Sequence, residues 1–240
     1  MRIGHAVMNE NGGARGGVAG DSTGKEIRIQ QWYDRTGGWQ IYLEPKERAL
    51  GDLAAEWMEK ICGDARFGYD QADRWSGYKE IKKRGFDGAK PSDFDCSSLV
   101  ISCYILAGVD LLPTGYTQNM ARYLMNTGLF NEYTDEEHLR GTELLRRGGV
   151  LIAPGKHTCM VLDDGERIGA DTETPVADKL TVKGGSVRVR THPVEGKTVC
   201  ILHKGAVRDI VTRDENTGWW CIREGWITDN EKLVEVVERA

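Results

Sequence analysis

Two residues have the type and setting for nucleophilic chemistry. Cys96 stands in SDFDCSSLVISCYI, Ser92 to Ile105, where an acidic turn gives way to an apolar run. A thiol attacks as thiolate, so a nucleophilic cysteine needs its pKa lowered. A helix N-terminus contributes unpaired N–H groups and the macrodipole, and a neighbouring imidazole contributes more, as a thiolate–imidazolium pair. Of the five histidines, at 5, 138, 157, 192 and 203, His157 begins an apolar stretch directly after Pro154-Gly155-Lys156. Each residue alone is more often structural than catalytic. Their conjunction, in an order that places a nucleophile helix against a strand presenting the base, shifts the balance towards catalysis.

The base needs a polar partner to orient it. With Asp163-Asp164-Gly165 as a three-residue hairpin loop, residue 157 pairs with 171 on one face, which nominates Asp171. A two-residue Asp-Gly turn nominates Thr172 instead. His157, Cys159 and Asp171 together are also a conceivable metal set, but Cys159 reads as core. The six cysteines, at 62, 96, 103, 159, 200 and 221, form no CxxC pair, so no metal or other cofactor is expected. They are read as reduced thiols.

The elements that must position these residues follow from the pattern. Pro45 to Cys62 reads as a helix, with Leu50, Leu53, Ala54, Trp57, Met58 and Ile61 at helical spacing and Gly63 at its end. Cys96 to Ala107 reads as a second, capped by Asp93 or Asp95 and ended by Gly108. A third, polar helix is expected near Tyr116–Asn126. VLIA (150–153) and HTCMVL (157–162) read as strands, the latter continuing into the hairpin. Helices first and an antiparallel sheet second give an α+β class. Residues 1–45 are Gly-rich. GGARGGVAGDSTGK lacks the phosphate-loop spacing and reads as turns; His5, Asp21 and Lys25 either border the cleft or organise turns, with turns preferred. Beyond a boundary at Pro175 to Gly185, short runs (SVRVRT, KTVCIL, AVRDIVT, GWWCI, GWIT) suggest a small closed all-β barrel.

Composition narrows the partners. The chain has 240 residues, 40% hydrophobic and 29% charged, with net charge -5. That balance argues against nucleic acid, and no apolar run approaches the ~20 residues of a membrane span. MRIGHAVMNENGG has no basic n-region followed by an apolar h-region, so no signal peptide is expected.

DFDCSSLV resembles the D-C-S-x-L-V nucleophile motif of the NlpC-type cell-wall cysteine peptidases, which are papain-like. RRGGVLIAPGKHTCMVLDDG resembles their paired strands, the second carrying the base. FGYDQADRW, Phe67 to Trp75, and the opening IGHAVMNENGG…AGDSTGKE resemble segments of phage lysins of this type. The likeness covers roughly residues 1–175. It implies a papain-like catalytic domain over 1–178 that hydrolyses an amide bond in the peptide part of peptidoglycan. The expected bond follows γ-D-glutamate; the alternatives are the muramoyl–L-alanine bond, or a wall-binding protein with impaired catalysis. Carried over, Cys96 is the nucleophile and His157 the base, Tyr69 and the Cys96 N–H serve the oxyanion, and Asp95 and Ser97 support the loop. Two departures stand out. The family's Arg-Gly-Asp is Arg147-Gly148-Gly149 here, and its third polar position, twelve after the base, is Gly169.

The tail, residues 186–240, resembles the bacterial Src-homology-3 type, through V-x-V-R, L-x-K-G, G-W-x-x-I and G-W-I. The resemblance implies a wall-binding barrel with Trp219, Trp220 and Trp226 as candidates for its ligand groove, at least one of them core. The whole is expected to be a phage or prophage endolysin. It would be made in the host cytoplasm, act on the cell wall after release, and need no cofactor, nucleic acid or membrane insertion.

Overall fold

The computed structural model describes residues 1–166, 179–214, 217–222 and 224–237. The chain opens with β1 (Arg2–Ala6), β2 (Ile27–Gln31) and β3 (Ile41–Pro45), then α1 (Arg48–Cys62). There follow β4 (Phe67–Tyr69), α2 (Ser76–Arg84), β5 (Ser92–Phe94) and α3 (Cys96–Leu106). Next come α4 (Met120–Met125), β6 (Phe130–Tyr133), α5 (Glu136–Leu139), β7 (Val150–Ala153) and β8 (His157–Val161). A six-stranded antiparallel sheet runs β2-β1-β8-β7-β3-β6. A separate parallel pair, β4-β5, sets Tyr69 opposite Phe94.

Both faces of the sheet are covered, which is why VLIA is an unbroken apolar run rather than an alternating one. Val150, Ile152 and Met160 join Met58 and Ile61 of α1 and Leu99, Val100 and Cys103 of α3 in one core. Leu151, Cys159 and Val161 face the other way, into a cluster with Ile3, Trp39, Tyr42 and Leu145. α3 is buried from Cys96 to Tyr104 on all sides, as a central helix should be. Tyr104 donates its hydroxyl hydrogen to the Gly148 carbonyl and ties the helix to the sheet. No helix among the described residues is long and apolar enough to cross a membrane.

Several expectations need correction. Strands β1, β2 and β3, half of the main sheet, lie on either side of the turns at residues 12–25, so sheet and helices interleave along the chain instead of following one another. Turns do form around Asp21, whose carboxylate accepts from the N–H groups of Thr23 (2.9 Å), Gly24 (2.6 Å) and Glu26 (3.0 Å). α1 starts at Arg48, because Pro45 ends β3, opposite Phe130. The strand expected to follow β8 in a hairpin lies almost wholly outside the described residues, while one edge of β8 is taken at its far end by another element. β1 occupies that edge of β8, pairing Ile3 with Val161 and Gly4 with Met160. The Asp163 carboxylate turns back to the Arg2 N–H at 2.6 Å.

The C-terminal strands are β9 (Lys179–Val182), β10 (Ser186–Arg190), β11 (Thr198–His203), β12 (Val207–Arg213), β13 (Trp220–Ile222), β14 (Gly225–Ile227) and β15 (Val234–Val237). They form a seven-stranded sheet, ordered β11-β10-β14-β13-β12-β9-β15. The expected closed barrel is absent among the described residues: β11 and β15 are edges with no pairing between them. β12 passes from β9, through Val207–Asp209, to β13, through Ile210–Arg213. It thereby bends the sheet around a core of Leu180, Val182, Val189, Ile222 and Ile227 without closing it.

Candidate functional site

Cys96 is the first residue of α3, and the helix start is built by local chemistry. Asp95 is the N-cap; its Oδ1 accepts from the Ser98 N–H at 2.7 Å, and Ser98 Oγ accepts from the Asp95 N–H at 2.8 Å. This reciprocal capping box leaves the Cys96 and Ser97 N–H groups without intrahelical acceptors. Arg74 braces the cap from the segment after β4. Its Nε lies 2.9 Å from Asp95 Oδ2. Its Nη2 donates to Ser97 Oγ at 2.8 Å and to the Gly115 carbonyl at 2.7 Å. The guanidinium also lies over the Tyr116 ring, 4.4 Å from its centroid. Arg74 lies inside the quoted lysin-like segment, yet only the fold reveals its grip on both flanks of Cys96.

Tyr69 ends β4, and Phe94, its parallel partner on β5, leads through Asp95 into Cys96. Gln71 Nε2 donates to the Tyr69 hydroxyl at 3.2 Å. Burial and the neighbouring Cys96 push the phenol up to about 12, so it remains a hydrogen-bond donor at neutral pH.

Cys96 is 7% exposed. Burial, then Asp95, push its thiol up to about 12, against the N–H groups of Thr158 and Ser97, which favour the thiolate. The expectation of a lowered pKa is therefore not met in the resting protein. Desolvation shifts a buried group by up to ~3–5 units, whereas a helix end supplies roughly 0.3–1 kcal/mol, under one unit.

His157 heads β8. Thr158, the residue after it, is the point of β8 that acts on the Cys96 sulfur. The β1–β8 ladder pairs only Ile3 and Gly4, leaving this end of β8 unpaired with β1. Cys96 and His157 are brought to the same strand end but do not hydrogen-bond. His157 instead shares the sheet face of Cys159 and Ala153, stacked near Trp39 with ring centroids 6.1 Å apart. Its Nε2 lies 2.9 Å from His5 Nδ1 on β1. Burial lowers His157 to about 3 and His5 to about 4, so both rings are neutral at pH 7. His5, for which the sequence left a turn organiser (preferred) or a cleft-border residue, is thus a strand residue touching the base. The only sequence signal for it is its place in the lysin-like opening.

Asp171, with Gly169 and Thr172, lies outside the described residues. The other departure has a steric origin: a Cβ on Gly149 would stand 2.4 Å from the Tyr42 ring and hydroxyl. Arg147, beside it, binds Glu59 of α1 at 2.7 Å and clamps helix to sheet. No group of three or more potential ligands able to hold a metal occurs among the described residues.

The three tryptophans divide. Trp226 is buried with Cys221 against Ala49 of α1, and Trp219 packs on that cluster, so these two join the C-terminal sheet to α1. Trp220 carries the Arg213 guanidinium 4.6 Å from its ring centroid. It also lines an open groove of about 380 Å³ with Lys183, Arg213, Asp229 and Glu231.

Comparison with known families finds one match: a family model described as an endolysin-like domain fits residues 3–168. Neither the curated proteins nor the solved structures searched contain a match.

Proposed function

The chain belongs to the endolysin-like domain family, and from that premise we propose that it is a cysteine peptidase or amidase that hydrolyses peptidoglycan. The observation that carries this reading is the placement of Cys96 on a capped helix N-terminus beside the strand headed by His157. In the proposed reaction His157 Nδ1 takes the thiol proton as sulfur attacks the amide carbon. The Cys96 N–H and the Tyr69 hydroxyl receive the oxyanion. The proton passes to the leaving amine, and water, activated by His157, hydrolyses the thioester. Because both groups rest neutral, proton transfer accompanies attack instead of preceding it.

The bond proposed is the one after γ-D-glutamate, with the muramoyl–L-alanine bond as the alternative by the same chemistry. The C-terminal sheet is proposed to bind the wall through the Trp220 groove, whose mixed charges suit a peptide bearing both amine and carboxylate. Loss of catalysis is disfavoured as a reading: Gly149 has a packing reason, and Cys96 and His157 are both present.

The test is digestion of purified peptidoglycan by wild type and Cys96→Ala, with products identified by mass spectrometry. Stem-peptide fragments or free stems from wild type alone support the reading and name the bond. Equal digestion by both removes Cys96 from the chemistry.

A further inference from the structure

We infer that His5 is the positioning residue of the catalytic base, a role filled from the N-terminal strand. The inference rests on the cysteine-hydrolase reading above.

The ring contact is direct, with His5 Nδ1 2.9 Å from His157 Nε2 and the rings edge-on, centroids 5.1 Å apart. Two neutral imidazoles can share that hydrogen bond only if one nitrogen donates and the other accepts. A base that takes the thiol proton on Nδ1 must keep that atom bare, so its proton sits on Nε2. His157 Nε2–H therefore donates to His5 Nδ1, and His5 carries its own proton on Nε2. His5 is 2% exposed, and its Nε2 is buried without a hydrogen-bond partner. The side chain most able to favour a proton there is Gln30, diagonal to His5 across the β1–β2 ladder. The Gln30 amide oxygen is held by Arg28 Nε at 2.9 Å.

The arrangement explains how the base is held with no carboxylate described beside it. Trp39 covers the ring of His157 and His5 fixes its far nitrogen, so the remaining nitrogen is the one without a partner among the described residues. When the thiol proton arrives at Nδ1, the Nε2–H bond to His5 persists and no proton moves on to His5. Burial lowers the proton affinity of His5, which keeps Nδ1 an acceptor throughout the neutral range.

The test compares His5→Asn, which retains an acceptor, with His5→Leu, which fills the space without one; circular dichroism confirms that both fold. Purified peptidoglycan is the substrate, and ¹⁵N NMR reads the His157 tautomer without any substrate. Wild-type His157 is expected to carry its proton on Nε2, and His5→Leu to spread it over both nitrogens. His5→Leu should lower kcat by on the order of 10²-fold with KM little changed, and His5→Asn should recover part of the loss. A folded His5→Leu with kcat within about twofold of wild type, or a wild-type His157 protonated on Nδ1, overturns the inference. Wild type inactive on peptidoglycan counts against the hydrolase reading alone, because the tautomer still decides whether His5 orients His157. Should either variant unfold, the wild-type tautomer remains decisive.

Discussion

Arg74 Nε lies 2.9 Å from Asp95 Oδ2, and both side chains are about nine-tenths buried. The pair fixes the cap of the helix that begins with Cys96. Removing the cation leaves a buried carboxylate uncompensated, which costs about 3–5 kcal/mol. Arg74→Ala should therefore lose that much stability in urea unfolding and lose wall digestion with it. Arg74→Lys should recover the charge but not the fork that reaches Ser97 and Gly115 together. An unchanged midpoint for Arg74→Ala would show that the pair does not hold the cap.

Gly149 is required by Tyr42. The absent Cβ would meet the Tyr42 ring at 2.4 Å, and overpacking of this kind costs about 1–3 kcal/mol. Gly149→Ala should be destabilised by that amount. In Tyr42→Leu the same substitution should cost less, giving a non-zero coupling in a double-mutant cycle. Additive costs would mean that the ring is not what excludes a side chain at 149.

Asp93 is held up to about 6 by burial, with Asp70, Asp73 and Glu10 adding repulsion, while it accepts from the Gly20 N–H at 3.0 Å. A raised carboxyl stabilises the fold below its unfolded pKa of about 3.8, and that contribution is lost as pH rises through about 6. Asn keeps the acceptor and removes the charge. Asp93→Asn should raise the melting temperature at pH 7.5, by about 1–2 kcal/mol in stability, and have little effect at pH 4. Destabilisation at both pH values would contradict this.

The histidine pair gives the opposite slope. His5 and His157 have folded pKa values near 4 and 3, below the ordinary 6.5. Their contribution is complete above pH 6.5 and is lost as pH falls from there towards 4. The slope is at most about 1.4 kcal/mol per pH unit for each ring. Burial is the main cause for both; Gln30 opposes it and Arg28 adds to it at His5, His5 and Arg35 add to it at His157, and Tyr33 packs beside His5. His5→Leu should flatten stability against pH between 6.5 and 4.5, read by denaturant midpoints across that range.

Trp219 and Trp226 should behave differently from Trp220. Ala49→Arg wedges a charge into the cluster of Trp226 and Cys221. It should speed alkylation of Cys221, located by mass spectrometry, and leave pelleting with insoluble peptidoglycan intact. Trp220→Ala should abolish pelleting and leave Cys221 protected. Loss of pelleting in Ala49→Arg alone would move the wall-binding surface to the cluster of Ala49, Cys221 and Trp226.

What the sequence determined by itself was local. An aspartate followed three residues later by Ser98 makes a cap wherever a helix starts, so the setting of Cys96 was legible in DFDCSSLV. β7 and β8 were legible as apolar runs bounded by turn residues, and α1 by its period, apart from its first turn. The tertiary structure decided what depends on residues far apart in sequence. His5 meets His157 across 152 positions because β1 inserts beside β8. No local pattern in a short, Gly-rich opening announces that pairing. The protonation of Cys96 was likewise beyond local reading. A helix dipole can be inferred from sequence, but the desolvation that outweighs it exists only once the core has closed around the sulfur.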